Sequence, residues 1–431
     1  MKRQADESAA APRQGPRPLP LHLGLATTAF LASHAVSPGS NAGSTRSNVG
    51  WPISKGPLAE RAAALAREAA SLDRALLAEA IAHEGRRRYG RFLDGVLAYR
   101  RHSYCRNLAE PPELWREGAT RLLDYAPRGG QPVLVVPSLV NRSYVLDLMP
   151  ERSLLRAWAG QGLRPLLVDW GRPGESERGF DLTGYILRLE RALEAASTAA
   201  GGSRPVAVGY CMGGLLALAL AERRSADLAG LVLLATPWDF HAERPEEARR
   251  VGAIGLALMP LIEAWGEMPI DLLQAFFAFV DPLQVPRKFL GFAGVDPGSS
   301  RARLFVALED WLNDGVPLTT GVARDCLIGW YGENRPGRGL WEVAGQRVRP
   351  ERLRLPTLVV VPGADRIVPP KSAIVLADRM ERAQRLDPEA GHIGMVVGGG
   401  AGELMWKPVR HWIEARGTTS RTRARRPARR A

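Results

Sequence analysis

One strand–turn–helix segment constrains the fold of this chain more than any other. The apolar residues 204–209 have the length of a buried strand, and the Ala/Leu-rich residues 215–223 have the composition of a helix. Between them, residues 209–214 read Gly-Tyr-Cys-Met-Gly-Gly. A Gly-x-nucleophile-x-Gly turn lifts one side chain out of a sheet, and it needs glycines because a Cβ would clash inside so tight a turn. The pattern therefore predicts an α/β sheet with a reactive thiol, Cys211, at its edge.

Apolar runs and helical patterns alternate over most of the chain. The runs typical of buried strands lie at residues 133–136, 166–168, 206–208, 231–234 and 357–361. The helical patterns that separate the first of these lie at residues 153–160, 182–200 and 215–222. Because strands and helices alternate, we expect a doubly wound, mostly parallel sheet with right-handed crossovers.

The domain organisation follows from the same patterns. We expect a catalytic domain over residues 129–415, with a helical cap over about residues 240–355 inserted between its last two apolar runs. The remaining segments are a disordered Ala/Pro/Ser-rich N-terminus, a helical extension and a disordered Arg-rich tail, at residues 1–56, 57–128 and 416–431. Within the extension, we expect a short helix at residues 113–123.

Composition and charge exclude several classes of protein. The chain of 431 residues is 45% hydrophobic and 24% charged, as globular proteins are. Seven arginines in residues 416–431 carry much of the net charge of +13, so we expect no binding of nucleic acid by the body of the protein. The three cysteines show neither a disulfide framework nor a metal-ligand spacing, which favours a cytoplasmic protein without a structural metal. The apolar residues 19–36 are too few and too polar for a transmembrane segment.

Three residues in a suitable order predict a catalytic triad. A thiol nucleophile needs a base, and the base needs an acid to orient it. In the α/β-hydrolase fold, of which the strand–nucleophile–helix turn is typical, the chain order is nucleophile, acid, base. Asp365 lies just beyond the apolar run 357–361, and only His392 and His411 follow it. His411 lies in a predicted C-terminal helix and is the weaker candidate, so the predicted triad is Cys211, Asp365 and His392.

An oxyanion hole should accompany this triad. We expect one donor to be the backbone N–H of Met212, directly after the nucleophile, and the second to be the N–H of Val140, in the loop after the first strand. Asp147 is expected to be a structural hydrogen-bond partner for that loop. A cysteine acyl-enzyme is a thioester, about as activated as an acyl-CoA, so Cys211 suits the transfer of acyl groups from CoA to an alcohol.

Several motifs together resemble a known family. Besides the Gly-x-Cys-x-Gly-Gly turn, they are Leu-Val-Asn-Arg-Ser-Tyr-Val-Leu-Asp-Leu at residues 139–148, Pro-Glu-Arg-Ser at 150–153, Val-Asp-Trp-Gly at 168–171, Thr-Pro-Trp-Asp-Phe-His at 236–241, Asp-Arg-Ile-Val-Pro-Pro at 365–370 and Gly-His-Ile-Gly at 391–394. In this order they resemble the catalytic subunit of polyhydroxyalkanoate synthases, especially the short, two-subunit class. The resemblance implies an α/β-hydrolase fold with a lid, and an acyltransferase.

The resemblance also implies substrates and partners. It implies transfer of 3-hydroxyacyl units from CoA onto a growing polyester chain, with acyl-CoA as a substrate and no separate cofactor. A second synthase subunit, a homodimer and a location on cytoplasmic polymer granules are further expectations. The chain has Arg366 where the family often has His after the catalytic Asp, and we expect altered tuning rather than inactivity from this difference.

Two other functions are open on the same residues. A Cys-dependent hydrolase, such as an esterase, thioesterase or polyester depolymerase, would use the same triad, because the fold does not set the acceptor. A non-catalytic granule-associated protein would instead use the cap and the basic tail to bind a polymer surface or a partner. The intact triad argues against this second alternative.

Overall fold

A computed structural model of the chain describes residues 13–34 and 71–424, together with residues 60, 61, 64, 67 and 68. The chain divides into two compact units, each assembled from two separate stretches of sequence. We call the first the helical unit, which contains Met1–Tyr104 and Gln274–Glu309. We call the second the sheet unit, which contains Cys105–Leu273 and Asp310–Ala431.

An eight-stranded sheet forms the core of the sheet unit. Its strands are β1 (Glu113–Glu117), β2 (Thr120–Asp124), β3 (Gln131–Val136), β4 (Leu163–Asp169), β5 (Val206–Tyr210), β6 (Gly230–Leu234), β7 (Thr357–Val360) and β8 (Ala383–Leu386). Their spatial order is β1-β2-β4-β3-β5-β6-β7-β8. The pairs β1–β2 and β2–β4 are antiparallel, and the other five pairs are parallel. The predicted α/β-hydrolase fold with a mostly parallel sheet is confirmed.

Helices precede and connect these strands. In chain order they are α1 (Leu19–His34), α2 (Arg74–Arg101), α3 (Leu154–Ala159), α4 (Leu182–Ala199), α5 (Met212–Arg223), α6 (Pro245–Trp265), α7 (Ile270–Val280), α8 (Gln284–Phe292), α9 (Ser300–Asn313), α10 (Thr320–Arg324), α11 (Pro370–Arg379), α12 (Gly394–Val397) and α13 (Lys407–Ala424). Helices α3, α4 and α5 correspond to the predicted helices at residues 153–160, 182–200 and 215–222. Two of them begin at side-chain caps, Ser153 before α3 and Asp181 before α4, which accept hydrogen bonds from backbone N–H groups of the first turn.

The central strands are apolar because helices pack on the sheet and exclude water from it. Every residue of β4, β5 and β6 is buried, and β3 is buried after Gln131. Such continuous apolar runs are typical of parallel strands with both faces covered. Because the carboxyl ends of parallel strands meet at one edge of a sheet, the loops that follow β3, β5, β6, β7 and β8 meet there.

The prediction of a helix at residues 113–123 is wrong, because this segment forms the strands β1 and β2. Gly118 lies between them with a φ of 56°, which permits the tight turn of an antiparallel pair. β2 then pairs with β4, and Leu122 and Leu123 become buried against the sheet. The sheet therefore begins before residue 129, where we expected the catalytic domain to start. A short apolar run does not distinguish a strand from a helix until its pairing partner is known.

The long insertion between β6 and β7 is helical, as predicted, but it is shared by the two units. Helices α6 to α10 all lie in it. Its middle part, Gln274–Glu309, belongs to the helical unit, whereas the rest belongs to the sheet unit. The predicted cap over residues 240–355 is therefore not one compact structural element.

The helical unit contains part of the segment that we expected to be disordered. Residues 19–34 form α1, whose Thr27 hydroxyl lies 3.1 Å from that of Tyr89 on α2. Phe30 stacks on the same tyrosine ring, with the ring centroids 5.3 Å apart. Tertiary contacts thus order a helix that shows no sustained amphipathic period in the sequence. Residues 1–12 and 35–56 of the same prediction lie outside the described residues.

The C-terminal helix also extends into a segment predicted to be disordered. α13 continues from Lys407 to Ala424, past the expected boundary at residue 416. Arg416 lies over the ring of Trp412, 4.5 Å from its centroid, and this cation–π contact supports the additional turn. Residues 425–431 of the predicted tail lie outside the described residues. In the described part of the chain, no helix is both long enough and apolar enough to cross a bilayer.

Candidate active site

The turn between β5 and α5 holds Cys211 in a backbone conformation that side chains rarely adopt. Cys211 has a φ of 55° and a ψ of −125° and stands directly before the first residue of α5. Its N–H donates to the carbonyl of Leu234 at the end of β6, at 2.8 Å, and its carbonyl accepts from the N–H of Gly214 at 2.9 Å. Strained residues of this kind are found where the surrounding structure fixes them, often at functional sites.

The glycines of the turn allow three close approaches. A Cβ on Gly209 would lie 2.4 Å from Cα of Gly214, so the strand and the helix could not meet. A Cβ on Gly213 would lie 2.2 Å from the carbonyl oxygen of Val136, at the end of β3. A Cβ on Gly214 would overlap the side chain of Thr236. The motif found in the sequence is therefore required by the backbone packing around Cys211.

Asp365 and His392 form a buried pair beside this turn. Nδ1 of His392 lies 2.6 Å from Oδ2 of Asp365, and both residues are more than nine-tenths buried. The other carboxylate oxygen, Oδ1, accepts from the N–H groups of Ile367 at 2.8 Å and Val368 at 2.9 Å. Since a carboxylate only accepts, Nδ1 of His392 carries the proton and the Nε2 atom remains for a second partner.

Cys211 lies beside the imidazole, close enough for its sulfur to raise the proton affinity of His392. Burial disfavours the charged imidazolium, but the neighbouring Cys211 and Asp365 outweigh it and raise the pKa of His392 to about 10. The structure thus brings the three predicted residues together in the order Asp365, His392, Cys211. A base that binds a proton this firmly favours transfer of the proton from the thiol.

Backbone contacts hold the two loops that carry the acid and the base. The N–H of Ala364 donates to the carbonyl of Ala390 at 3.0 Å, so the loops after β7 and β8 are joined next to the pair. Tyr210 contacts His392 in two ways. Its hydroxyl donates to the backbone carbonyl of His392 at 3.2 Å, and the centroids of the two rings lie 5.2 Å apart. Sequence reasoning missed Tyr210, although it occupies the variable position directly before the nucleophile.

The predicted oxyanion donors have different surroundings. Met212 is the first residue of α5, so its N–H has no carbonyl partner within the helix. The close approach of Gly213 to Val136 brings the loop after β3 beside this N–H. Within that loop, however, the N–H of Val140 donates to the hydroxyl of Ser138 at 3.1 Å. To stabilise an oxyanion, the N–H of Val140 would have to break its hydrogen bond with Ser138. The role of Val140 as the second oxyanion donor stays a prediction.

Asp147 is the centre of a buried network that follows the oxyanion loop. Its carboxylate has no exposed surface and accepts hydrogen bonds from four side chains, those of Arg106, Tyr125, Ser153 and Arg156. The distances lie between 2.6 Å for Ser153 Oγ and 3.1 Å for Arg106 and Tyr125. The expected structural role of Asp147 agrees with these contacts, which tie the segment after the loop to β2 and α3.

A turn of the inserted segment brings Tyr331 to the site. The residues Asp325–Gly332 continue α10 as a wider π-helical turn, a feature frequent at functional sites. Burial and the nearby thiols of Cys211 and Cys326 raise the pKa of Tyr331. The backbone carbonyl of Tyr331 lies 2.7 Å from the Nε2 atom of His241. Sequence reasoning missed this tyrosine because nothing local links it to a nucleophile 120 residues away.

The Thr-Pro-Trp-Asp-Phe-His motif anchors this turn. Asp239 Oδ1 accepts from the side-chain amide of Asn334 at 2.8 Å, and the Asn334 oxygen accepts from the N–H of Phe240 at 3.0 Å. The ring of Phe240 stacks on Trp330 with centroids 5.6 Å apart. A motif that carries no catalytic residue therefore holds Trp330 and the adjacent Tyr331 in place.

Two further residues from the sequence analysis lie away from the chemistry. Arg366, which follows the acid, is exposed to solvent. His411, the weaker candidate for the base, is exposed on α13, where its ring lies 2.8 Å from the guanidinium of Arg410. The choice of His392 over His411 therefore agrees with the geometry.

Comparison with known proteins supports the fold and the family. A family profile described as the alpha/beta hydrolase fold matches residues 131–252. The chain is 27% identical over 315 residues to a poly(3-hydroxyalkanoate) polymerase subunit PhaC from Haloferax mediterranei. The chain therefore has the α/β-hydrolase fold and is similar in sequence to PhaC polymerase subunits. The match covers 71% of this chain and 64% of the Haloferax protein, so the chain spans less than two thirds of that relative.

Two further proteins are similar to this chain. The PhaC polymerase subunit of a Synechocystis species is 28% identical over 296 residues, which cover 66% of this chain and 78% of that relative. Among solved structures, a thermophilic esterase from Thermogutta terrifontis matches with a TM-score of 0.39 and 19% identity. That match covers 72% of this chain and 98% of the esterase.

Proposed function

We propose that this protein is an acyltransferase that polymerises 3-hydroxyacyl-CoA into a polyester through an acyl-cysteine intermediate on Cys211. The observation that carries the proposal is the buried, hydrogen-bonded pair Asp365–His392 beside the partly exposed thiol of Cys211. The relatives support the substrate class, since they are named poly(3-hydroxyalkanoate) polymerase subunits. No cofactor or metal takes part in the proposed reaction.

In the first half-reaction, Cys211 takes the acyl group from CoA. His392 accepts the thiol proton, and the sulfur attacks the thioester carbonyl carbon. The N–H of Met212, together with a second donor for which Val140 is our candidate, stabilises the oxyanion. The bond to the CoA sulfur then breaks, and CoA leaves with the proton from His392.

In the second half-reaction, a hydroxyl group takes the acyl group from the enzyme. The hydroxyl belongs to a second monomer or to the end of the growing chain, and it loses its proton to His392 as it attacks the acyl-cysteine. The carbon–sulfur bond breaks, and the proton returns to Cys211. A thioester is a more activated acyl donor than an oxygen ester, so transfer from Cys211 to a hydroxyl is downhill, whereas the first half-reaction exchanges one thioester for another and is nearly balanced.

Exclusion of water would favour this transfer over hydrolysis. Phe240, Trp330 and Tyr331 form an aromatic group, with Phe240 and Tyr331 in edge contact at 5.0 Å, and Tyr331 lies within electrostatic reach of Cys211. Their role in the proposal is to limit the access of water to the acyl-cysteine. We also propose that a second synthase subunit and a homodimer are part of the working enzyme, which acts on cytoplasmic polymer granules.

The test is CoA release from 3-hydroxybutyryl-CoA by the purified chain, with turbidity recorded in parallel. We expect both signals from the wild type and neither from Cys211→Ala. The matched control is Cys105→Ala, which removes an exposed thiol and should leave both signals unchanged. CoA release at the wild-type rate by Cys211→Ala would contradict the proposed intermediate.

The same experiment separates the alternative hydrolase. CoA release that depends on Cys211 but yields free 3-hydroxy acid without turbidity would favour a thioesterase. Absence of release, together with a Cys211 that resists thiol alkylation, would favour a non-catalytic, granule-associated protein. The fold and the triad do not determine whether water or a hydroxyl group accepts the acyl group, so product analysis is the deciding measurement.

A further inference from the structure

A cavity of about 650 Å³ opens in the sheet unit, away from Cys211. We call it the basic cavity; its arginines are Arg347, Arg349, Arg352 and Arg354. Residues 352–356 lead into the first residue of β7, and Ser225 and Ala226 lie between α5 and the start of β6. The basic cavity therefore lies at the amino-terminal edge of the parallel strands, whereas the triad lies at the carboxyl edge.

Among the described residues, three of the four guanidinium groups form no direct ion pair. Arg354 pairs with Glu381. In the described part of the chain, the side chains of Arg347, Arg349 and Arg352 form neither a hydrogen bond nor an ion pair. Arginines left unpaired around one concave surface attract anions, and their planar forks match the oxygen atoms of phosphate groups.

The walls of the basic cavity are held in place by the sheet unit itself. A hairpin turn at Ala344 and Gly345, both with positive φ, precedes the arginines. The guanidinium of Arg223 on α5 donates to the carbonyl of Ala344 at 2.8 Å. The carboxylate of Glu222 accepts the backbone N–H of Arg349 at 2.9 and 2.8 Å and lies within electrostatic reach of the Arg349 and Arg352 guanidinium groups, but burial raises its pKa to about 7.

The same cavity has an apolar side. Leu353, Leu355 and Pro356 line it next to the arginines. Its volume lies within the range of roughly 300–1,000 Å³ that is usual for small-molecule sites. Inorganic phosphate would leave this apolar surface unused, whereas a nucleotide would place its base on it and its phosphates among the arginines.

We propose that the basic cavity binds a nucleoside diphosphate at a site separate from the catalytic triad. The proposal rests on the unpaired arginines, the apolar wall and the volume, and it does not depend on the reaction proposed for Cys211. Bound nucleotide would bridge the hairpin at Ala344 and the segment that enters β7, and so stabilise the sheet unit.

The test is a calorimetric titration of the full chain with ADP at low ionic strength. We expect one saturable site, and at least tenfold weaker binding in the double variant Arg347→Ala/Arg352→Ala. The matched control is Arg128→Ala/Arg204→Ala, which removes two exposed arginines from the loops before β3 and β5 at the same sheet edge. The control should bind ADP within twofold of the wild type.

Three results would overturn the proposal. They are the absence of saturable binding to the wild type, equal weakening in the two double variants, and binding of inorganic pyrophosphate as tight as that of ADP. Thermal melting of each variant without nucleotide checks that both are folded. CoA carries the same diphosphate and adenine, so displacement of bound ADP by CoA would identify the CoA nucleotide as the ligand, and its absence would restrict the site to free nucleotides.

Discussion

At the scale of single residues, the site depends on how each polar atom is used. One carboxylate oxygen of Asp365 accepts hydrogen bonds from two backbone N–H groups, and the other accepts a hydrogen bond from Nδ1 of His392. The imidazole is thereby oriented with its second nitrogen available to Cys211. The pKa of His392 is raised even though the ring is buried, because two neighbours favour the imidazolium. The order of residues along the chain predicted the members of this series, and the loops after β7 and β8 bring them into contact.

The pKa of His392 should fall when the thiol is removed. In Cys211→Ala, the largest contribution that favours the imidazolium is lost, whereas burial still disfavours it. We expect the pKa to move downward from about 10, as followed by the histidine ring signals in an NMR titration of selectively labelled protein. Cys105→Ala is the control. An unchanged His392 titration in Cys211→Ala would show that the two side chains do not interact.

Replacement of Asp147 should destabilise the sheet unit without touching the triad. In Asp147→Asn, the partly exposed guanidinium groups of Arg106 and Arg156 lose a fully buried charge partner, which should cost about 1–3 kcal/mol. Urea unfolding measures the change in the free energy of unfolding. Asp314→Asn is the matched control, because Asp314 is 51% exposed and its pairing with Arg142 is long, at 3.5 Å. Equal losses in the two variants would contradict the role of Asp147.

At the scale of elements, the reactive turn works because β3, β5 and α5 meet without side chains between them. The positive φ of Cys211 is stabilised by its hydrogen bond to the end of β6. Gly213 then lets α5 begin against the end of β3, which places the oxyanion loop next to the N–H of Met212. The glycine pattern in the sequence predicted the turn, but it did not reveal which strand the helix approaches.

A methyl group on Gly213 should disrupt this junction. The Cβ of Gly213→Ala would lie 2.2 Å from the carbonyl oxygen of Val136, and backbone cannot move aside as a flexible side chain does. We expect a destabilisation of about 1–3 kcal/mol in thermal unfolding, as overpacking typically causes, and strongly reduced CoA release. Gly402→Ala is the control, since a Cβ there meets nothing within 4 Å. Normal CoA release by Gly213→Ala would show that the close approach is dispensable.

At the scale of the whole molecule, both units are assembled from distant parts of the chain. The core of the helical unit joins Phe92, Val96 and Tyr99 of α2 to Phe289 and other residues of the insertion. Gly95 allows this packing, because a Cβ there would overlap the backbone carbonyl of Phe289. The cap that we predicted as a single insertion is divided for this reason: its middle helices complete a core that the N-terminal residues began.

Truncation of Phe92 should therefore loosen both stretches of the helical unit. Phe92→Ala removes a buried ring and should cost about 3–5 kcal/mol, as large-to-small core changes do. Hydrogen exchange read by mass spectrometry should show faster exchange in α2 and in α8. Leu97→Ala on the same helix is the control, because Leu97 is 46% exposed and its truncation should change little. Faster exchange in α2 alone would contradict the shared core.

The sequence by itself determined the features that rest on local patterns. Continuous Val/Leu runs identified the central strands, because a strand buried on both faces has to be apolar along its whole length. The glycine spacing predicted the turn at Cys211, and the chain order predicted Asp365 and His392, whose catalytic role stays a prediction. Such local patterns are informative because the backbone geometry of a tight turn and the pairing of parallel strands restrict which residues can occupy each position.

The tertiary structure alone decided the rest. The strands β1 and β2 were mistaken for a helix because β4, the strand that joins this hairpin to the sheet through β2, lies 40 or more residues further along the chain. The helix α1, the support of His392 by Tyr210, the position of Tyr331 and the basic cavity all depend on contacts between distant segments. Such contacts leave no periodic pattern in the sequence, since each is satisfied by one pair of side chains that only the folded chain brings together.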